Sequence, residues 1–144
     1  MPQNTICPQS AGDASQGKRQ AEEEIKIRIV LVDDHEIIRN VVAGLIRREP
    51  DFEIVGEFSD AESAINSIRK VRPNVVLMDV GMPLMNGIEA TRIIHEEFAD
   101  IRIIGFSIHD DEAYREAIHK AGASGYLSKS TSAQALIKTL RACA

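Results

Sequence analysis

A chain of 144 residues has the length of a single domain, and its hydrophobic content of 44% with 27% charged residues is typical of a globular protein. The net charge of −5 argues against a surface that binds nucleic acid, because such surfaces need clustered Lys and Arg. No apolar run reaches the length of a membrane span and no signal peptide begins the chain, so we expect a cytoplasmic protein without membrane contact. Cys7 and Cys143 lack the spacing of a metal site, and we expect both to be free thiols.

Five strands alternate with five helices in the predicted domain. Residues 1–24 are rich in Gln, Ser, Gly and charge, which predicts a disordered N-terminal tail before a domain at 25–144. Apolar runs predict strands over residues 27–32, 52–58, 75–79, 101–106 and a short stretch ending at 127. Apolar residues at helical spacing follow each strand, in residues 38–46, 59–71, 86–98, 110–120 and 131–140.

Capping signals mark the starts of three of these helices. Ser59 and Glu62 have the spacing of a capping box, as do Thr131 and Gln134, and Asn86 is expected to cap the third helix. The apolar stripe of the first helix is expected to consist of Ile38, Val41, Val42, Leu45 and Ile46.

The regular alternation predicts a parallel sheet with helices on both faces. The third strand is an unbroken apolar run, which indicates burial on both sides and a central position. We therefore expect a flavodoxin-like, doubly wound (βα)5 fold of the α/β class, with strand order 2-1-3-4-5.

Polar side chains follow four of the predicted strands. Asp33 and Asp34 come after the first strand, Asp79 ends the third, Ser107 closes the fourth, and Lys129 follows the fifth. All lie at the carboxyl edge of the sheet, where ligands bind in this fold class. Two carboxylates at 4 Å repel by about 4 kcal/mol at an effective dielectric near 20. Either some of the carboxylates are therefore protonated, or a cation such as Mg²⁺ binds among them.

A metal-binding acidic cluster with a hydroxyl and an ammonium group fits phosphoryl transfer, and Asp79 is central enough to be its nucleophile. The alternative enzyme is a phosphohydrolase with an aspartyl nucleophile. Such an enzyme needs a second Asp as general acid two residues after the nucleophile, and Gly81 stands at that position. The alternative binding function is that of a flavin- or nucleotide-binding module on the same fold, but the chain lacks the glycine-rich motifs of such modules. We therefore do not expect an enzyme acting on an external substrate.

The sequence resembles the receiver domain of bacterial two-component response regulators over residues 26 to about 142. The resemblance rests on Asp33-Asp34, Asp79-x-x-Met82-Pro83-x-x-x-Gly87, Ser107, and the Ala121–Lys129 run. Many receivers have a proline after the lysine, but here Ser130 follows, and Gly-Tyr-Leu-Ser-Lys-Ser is more similar to the receivers of LuxR-type helix-turn-helix regulators.

This resemblance implies that Asp79 accepts a phosphoryl group from a sensor histidine kinase or a phosphotransfer protein. It implies that Asp34, Asp79 and the backbone carbonyl of Gly81 bind Mg²⁺, with Asp33 acting directly or through water. Lys129 would pair with the phosphoryl group. The domain itself would catalyse only its own phosphorylation and dephosphorylation.

The resemblance also implies a switch made of Ser107 and Tyr126, in which Ser107 follows the phosphoryl oxygen and Tyr126 turns inward. The surface formed by helix four, strand five and helix five would change as a result. His109, two residues after Ser107, is expected to tune the phosphate lifetime or to be an exposed loop histidine. His35 is expected to begin the first helix.

The resemblance to LuxR-type receivers implies control of a transcriptional output in a parent protein. The alternative is a stand-alone single-domain response regulator that acts by protein contacts. A phosphorylation-dependent homodimer is possible in this family. We expect this chain itself to bind no nucleic acid.

Overall fold

The computed structural model describes residues 25–82, 85–108 and 112–144, in which strands and helices alternate along the chain. The strands are β1 (Ile27–Val32), β2 (Phe52–Phe58), β3 (Val75–Asp79), β4 (Arg102–Ser107) and β5 (Gly125–Ser128). The helices are α1 (Glu36–Arg47), α2 (Ala61–Val71), α3 (Gly87–Glu97), α4 (Glu112–Lys120) and α5 (Ala133–Cys143). The predicted tail at 1–24 lies outside the described residues.

All five strands join one parallel sheet in the order β2-β1-β3-β4-β5, which confirms the predicted topology. β3 pairs with β1 on one side and β4 on the other, and each of its five residues is buried. Its apolar side chains are covered on both faces, as the unbroken apolar run predicts. The site-forming ends of β1, β3 and β4 are therefore adjacent.

Side chains that alternate along the strands divide the core into two main layers. One layer contains Leu31, Leu77 and Ile104 and packs against α1 and α5. The other contains Val30 and Met78 and packs against α2 and α3. A smaller cluster of Val80, Ile118, Ala123 and Tyr126 lies where α4 meets the sheet.

The helix caps agree with the sequence only in part. Asn86 caps α3, because its side chain accepts the backbone N–H of Glu89 as expected. The caps of α2 and α5 are Asp60 and Ser132, each one residue beyond the predicted Ser59 and Thr131. A buried apolar face sets where each helix meets the sheet, and the polar residue that then lies at the first turn becomes the cap.

Two expectations about α1 and α5 are corrected by the structure. Val41 is 57% exposed rather than part of the buried stripe, because the helix turns Val42 and Ile46 toward the sheet. Cys143 is buried at the end of α5 and is disulfide-bonded, so the prediction of a free thiol there is wrong. The longest described helix has 12 residues, and none of the described helices is long and apolar enough to cross a membrane.

Gly87, the first residue of α3, is required by the close approach of the chain to the end of β3. A Cβ atom there would overlap the backbone carbonyl of Asp79 and lie 2.8 Å from Cα of Val80. We predict that Gly87→Ala lowers the free energy of unfolding by more than about 2 kcal/mol, since backbone atoms must move to admit the methyl group. Equilibrium urea denaturation measures the change.

Gly44 provides a matched control, because it lies within α1 and a Cβ atom there would meet nothing within 4 Å. Gly44→Ala should raise the free energy of unfolding by about 0.5–1 kcal/mol through the better helix propensity of Ala. Equal effects of the two substitutions would contradict the steric account of Gly87.

Candidate functional site

The predicted polar residues converge at the carboxyl edge of the sheet. Asp33 follows β1, Asp79 ends β3, Ser107 ends β4, and Lys129 follows β5. The backbone of Asp33 is fixed by its N–H, which donates to the carbonyl of Phe58 at 3.0 Å. Neighbouring strands thus bring groups from distant parts of the sequence into contact, as the topology requires.

Asp79 lies at the centre of this site and is only 3% exposed. Its Oδ1 accepts the backbone N–H of Gly81 at 3.2 Å and lies 3.3 Å from Nζ of Lys129. Its Oδ2 is buried and receives no hydrogen bond from any residue that the structure describes. One oxygen is therefore held by the protein, while the other has unused capacity for a ligand.

Lys129 is the cation of the site, and its side chain is only 4% exposed. Its Nζ lies 2.9 Å from Oδ2 of Asp33 and 3.3 Å from Oδ1 of Asp79, so one ammonium group bridges two carboxylates. The Lys129 backbone N–H donates to the carbonyl of Ser107 at 2.8 Å. In place of the proline found in many receivers, Ser130 donates its N–H to Oγ of Ser128 and forms a local turn.

His35 was missed as a member of this site. Its Nδ1 lies 3.0 Å from Oδ1 of Asp33, 3.4 Å from Oδ1 of Asp34 and 3.8 Å from Oδ2 of Asp79. His35 occupies the cap position of α1 but makes no side-chain cap bond, so its ring faces the carboxylates instead. The signal in the sequence was its position directly after the acidic pair.

Burial and charge together alter the ionisation of Asp79. Burial makes the largest contribution, and with the nearby charge of Asp33 it raises the pKa of Asp79 to about 6. Lys129 opposes this rise in the pKa. Asp34 also raises it through a carboxyl–carboxyl contact, which is a hydrogen bond only when one partner carries a proton.

The donor set fits a divalent cation. One atom from each of Asp33, Asp34, His35 and Asp79 lies within 4.8 Å of the others. Carboxylate oxygens are the ligands that Mg²⁺ prefers, and the unpartnered Oδ2 of Asp79 points to a ligand that the described residues do not supply. The predicted Mg²⁺ site therefore agrees with the side-chain geometry, while the carbonyl of Gly81 as a further ligand stays a prediction.

The predicted switch residues are both buried beside this site. Ser107 is 1% exposed at the end of β4, and Tyr126 is 4% exposed on β5. The ring of Tyr126 packs with Ile118 of α4, and the guanidinium of Arg115 lies 5.3 Å from its centroid. Tyr126 is thus already buried without a phosphoryl group, whereas His109 lies outside the described residues.

The ionised form of Asp79 destabilises the metal-free protein. Its folded-state pKa of about 6 exceeds the ordinary value of 3.8, so stability falls as the pH rises between those values. We predict that Asp79→Asn stabilises the metal-free protein by up to about 3 kcal/mol above pH 6, because a two-unit shift has that free-energy equivalent. Urea denaturation in EDTA at pH 7.5 measures the gain.

The gain should shrink toward pH 4, where the carboxyl is protonated in the folded protein. Asp100→Asn is the charge-matched control, because the Asp100 side chain is 79% exposed at the surface. An Asp79→Asn effect that is independent of pH would contradict the electrostatic cause.

Comparisons with known proteins agree with this geometry. Residues 29–141 match the family model of the response regulator receiver domain. The chain is 44% identical over 121 residues to the transcriptional regulatory protein DegU of Brevibacillus brevis, covering 84% of this chain and 51% of that protein. It is 39% identical to the transcriptional regulatory protein LiaR of Bacillus subtilis, covering 81% of this chain and 55% of that protein.

A solved structure of a two-component response regulator of the LuxR family from Aurantimonas sp. SI85-9A1 superposes with a TM-score of 0.78 at 39% identity. The match covers 82% of this chain and 84% of the other. The chain spans about half the length of the curated relatives it matches. The family-model match, the strand order and the acidic edge agree, and the chain belongs to the response regulator receiver domain family.

Proposed function

We propose that Asp79 is the phosphoacceptor of this receiver and takes its phosphoryl group from the phosphohistidine of a sensor kinase or a phosphotransfer protein. The observation that carries the proposal is the buried Oδ2 of Asp79, which has no hydrogen-bond donor among the described residues and lies in a cluster of cation-binding groups. A carboxylate in this state is available as a nucleophile.

In the proposed reaction, a carboxylate oxygen of Asp79 forms a bond to phosphorus as the phosphorus–nitrogen bond to the donor histidine breaks. The nitrogen keeps the electron pair, and the donor leaves as neutral imidazole after proton exchange. Lys129 and Ser107 would then bind phosphoryl oxygens. The reaction needs positioning and charge stabilisation more than acid–base chemistry, which suits a site with fixed strand ends.

The proposed cofactor is Mg²⁺, held by Asp34, Asp79 and the Gly81 carbonyl, with Asp33 as a direct or water-mediated ligand. When bound, the ion supplies positive charge against the phosphoryl oxygens. The described residues support such a site because three carboxylates lie together there, and the buried Lys129 ammonium faces two of them, Asp33 and Asp79.

Phosphorylation would place about two negative charges beside Lys129 and Ser107. The Lys129 ammonium now bridges Asp33 and Asp79, so a phosphoryl group would offer it new acceptors. Lys129 and Ser107 are also joined through the backbone, because the Lys129 N–H donates to the Ser107 carbonyl. We expect a change at one of these strand ends to reach the other through this hydrogen bond.

The proposed output surface is formed by α4, β5 and α5. Among the described residues of α4, only Ile118 is fully buried, whereas α2 and α3 each bury four residues. Ile118 packs with Tyr126, the proposed switch aromatic. An element with so small an anchor is suited to repacking when Ser107 moves, as a shift between two arrangements.

The proposed role of this switch is to control transcription through a parent protein, because the curated relatives named above are transcriptional regulators about twice the length of this chain. A stand-alone receiver acting by protein contacts is the alternative. The proposal also places the receiver domain at 25–144 and the protein in the cytoplasm. It includes a phosphorylation-dependent homodimer, self-catalysed phosphorylation and dephosphorylation only, and no nucleic acid bound by this chain. His109 as a tuner of phosphate lifetime stays a prediction.

We predict that the wild-type chain incorporates one phosphoryl group from acetyl phosphate or phosphoramidate in the presence of Mg²⁺, and that Asp79→Asn abolishes this labelling. The amide is too weak a nucleophile, and it keeps the size of the carboxylate. Intact-mass spectrometry follows the phosphorylated protein over time. Labelling of Asp79→Asn at the wild-type rate would overturn the proposal.

Asp100→Asn again serves as the control, since it removes an exposed carboxylate outside the site and should label normally. Omission of Mg²⁺ should slow labelling of the wild type strongly. Equal labelling with and without the ion would remove the metal from the proposed function.

The proposed switch predicts an optical change at Tyr126. The chain has two tyrosines and no tryptophan, so Tyr114→Phe leaves Tyr126 as the single tyrosine emitter. Acetyl phosphate with Mg²⁺ should alter its emission, because Tyr126 packs on Ile118 and under Arg115 and both contacts would change.

The same measurement on Tyr114→Phe combined with Asp79→Asn should show no phosphate-dependent change. An unaltered Tyr126 signal in the phosphorylated single variant would contradict the switch, although phosphoacceptance by Asp79 would stand.

A further inference from the structure

His35 occupies a place that neither helix capping nor packing explains. It stands at the cap position of α1 without a side-chain cap bond, and its ring is about half exposed. Its Nδ1 atom faces Asp33, Asp34 and Asp79. An ion pair between a protonated imidazole and these carboxylates would account for this direction of Nδ1, and so would a cation shared between the ring and the carboxylates.

The contacts of Nδ1 also require opposite roles from one atom. It lies 3.0 Å from Oδ1 of Asp33, where it must donate a proton, and 3.2 Å from Nζ of Lys129, where it must accept one. A single ring nitrogen cannot do both. The hydrogen bonds among these side chains therefore cannot satisfy both contacts of Nδ1.

A metal ion among Nδ1 and the three carboxylates would give each of these donor atoms a partner without a proton between them. Metal–ligand bonds of about 2.1 Å place neighbouring donor atoms about 3 to 3.5 Å apart. The distances from Nδ1 to Oδ1 of Asp33 and Oδ1 of Asp34 are 3.0 and 3.4 Å, and Oδ2 of Asp79 is at 3.8 Å. Asp79 is 3% exposed, and its Oδ2 has no hydrogen-bond donor among the described residues.

We propose that His35 is a nitrogen ligand that adapts this acidic site to first-row divalent transition metals in addition to Mg²⁺. The inference rests on the metal site of the proposed function and deepens it. The proposed effect of His35 is on which metal the site prefers, because the carboxylates alone suffice for Mg²⁺.

Donor chemistry explains the expected selectivity. Mg²⁺ favours oxygen ligands and gains little from imidazole, whereas Co²⁺ binds imidazole well and stands above Mn²⁺ in general affinity order. His35 brings no negative charge, so its removal leaves the attraction of the three carboxylates for any cation unchanged. The effect of its removal should therefore depend on which metal is bound.

The experiment uses the full 144-residue chain, freed of metal, with wild type, His35→Ala and His119→Ala compared. His119 is exposed in the last turn of α4 and controls for the loss of a histidine. Calorimetric titration measures the affinities for Mg²⁺ and Co²⁺. Pulsed electron paramagnetic resonance of the Mn²⁺ form detects a directly bound imidazole nitrogen through its ¹⁴N coupling.

The wild type and His119→Ala should show ¹⁴N coupling to Mn²⁺, and His35→Ala should lose it. His35→Ala should also lose about ten-fold or more of its Co²⁺ affinity, while its Mg²⁺ affinity changes less than about three-fold. Retained Mg²⁺ binding shows that the variant is folded.

Absence of ¹⁴N coupling in the wild type, or equal loss of Co²⁺ and Mg²⁺ affinity in His35→Ala, would overturn the inference. If Mg²⁺ still binds and Asp79 is still phosphorylated, the proposed function survives and only the role of His35 fails. If the wild type binds no divalent ion, the metal part of the proposed function fails with it.

Discussion

The bridge that Lys129 forms between Asp33 and Asp79 is the interaction on which the site depends. Asp79 is buried at the end of the central strand, and an ionised carboxylate there is costly without a nearby cation. The ammonium group is itself almost completely buried, so neither partner relies on water. This pairing is possible only because β1, β3 and β5 end at the same edge of one parallel sheet, and the strand order is thus a condition for the electrostatics.

Rigid and weakly anchored elements are distributed unequally around this bridge. The side of Asp79 that leads to α3 is fixed by Gly87, whose lack of a side chain lets the helix start lie against the Asp79 carbonyl. The opposite side leads through Ser107 to α4, whose described residues include only Ile118 as a fully buried anchor. A charge added at Asp79 would therefore displace the segment toward α4 more easily than the start of α3, which is held by a close backbone contact.

The sequence predicts the sheet well and the details at the helix starts less well. Unbroken apolar runs define buried strands, and the residue after each run must lie at the shared edge, so Asp33, Asp79, Ser107 and Lys129 were all placed correctly at that edge. The caps of α2 and α5 lie one residue beyond their predicted positions. Local polar patterns such as Ser59-x-x-Glu62 do not encode how a helix packs on the sheet. The ring orientation of His35 was equally invisible, since it depends on three carboxylates and not on a periodic pattern.

His35 and Lys129 approach the same carboxylates, and under the two proposals this overlap would link the choice of cation to the chemistry of Asp79. Lys129 neutralises Asp33 and Asp79 when no metal is present, and Nδ1 of His35 lies 3.2 Å from its ammonium group. A divalent ion held by these carboxylates would repel that ammonium, because like charges in a buried site interact strongly. Lys129 would then be released toward an incoming phosphoryl group. Under the proposed function, cation binding and phosphoacceptance would be successive uses of the same group of charges.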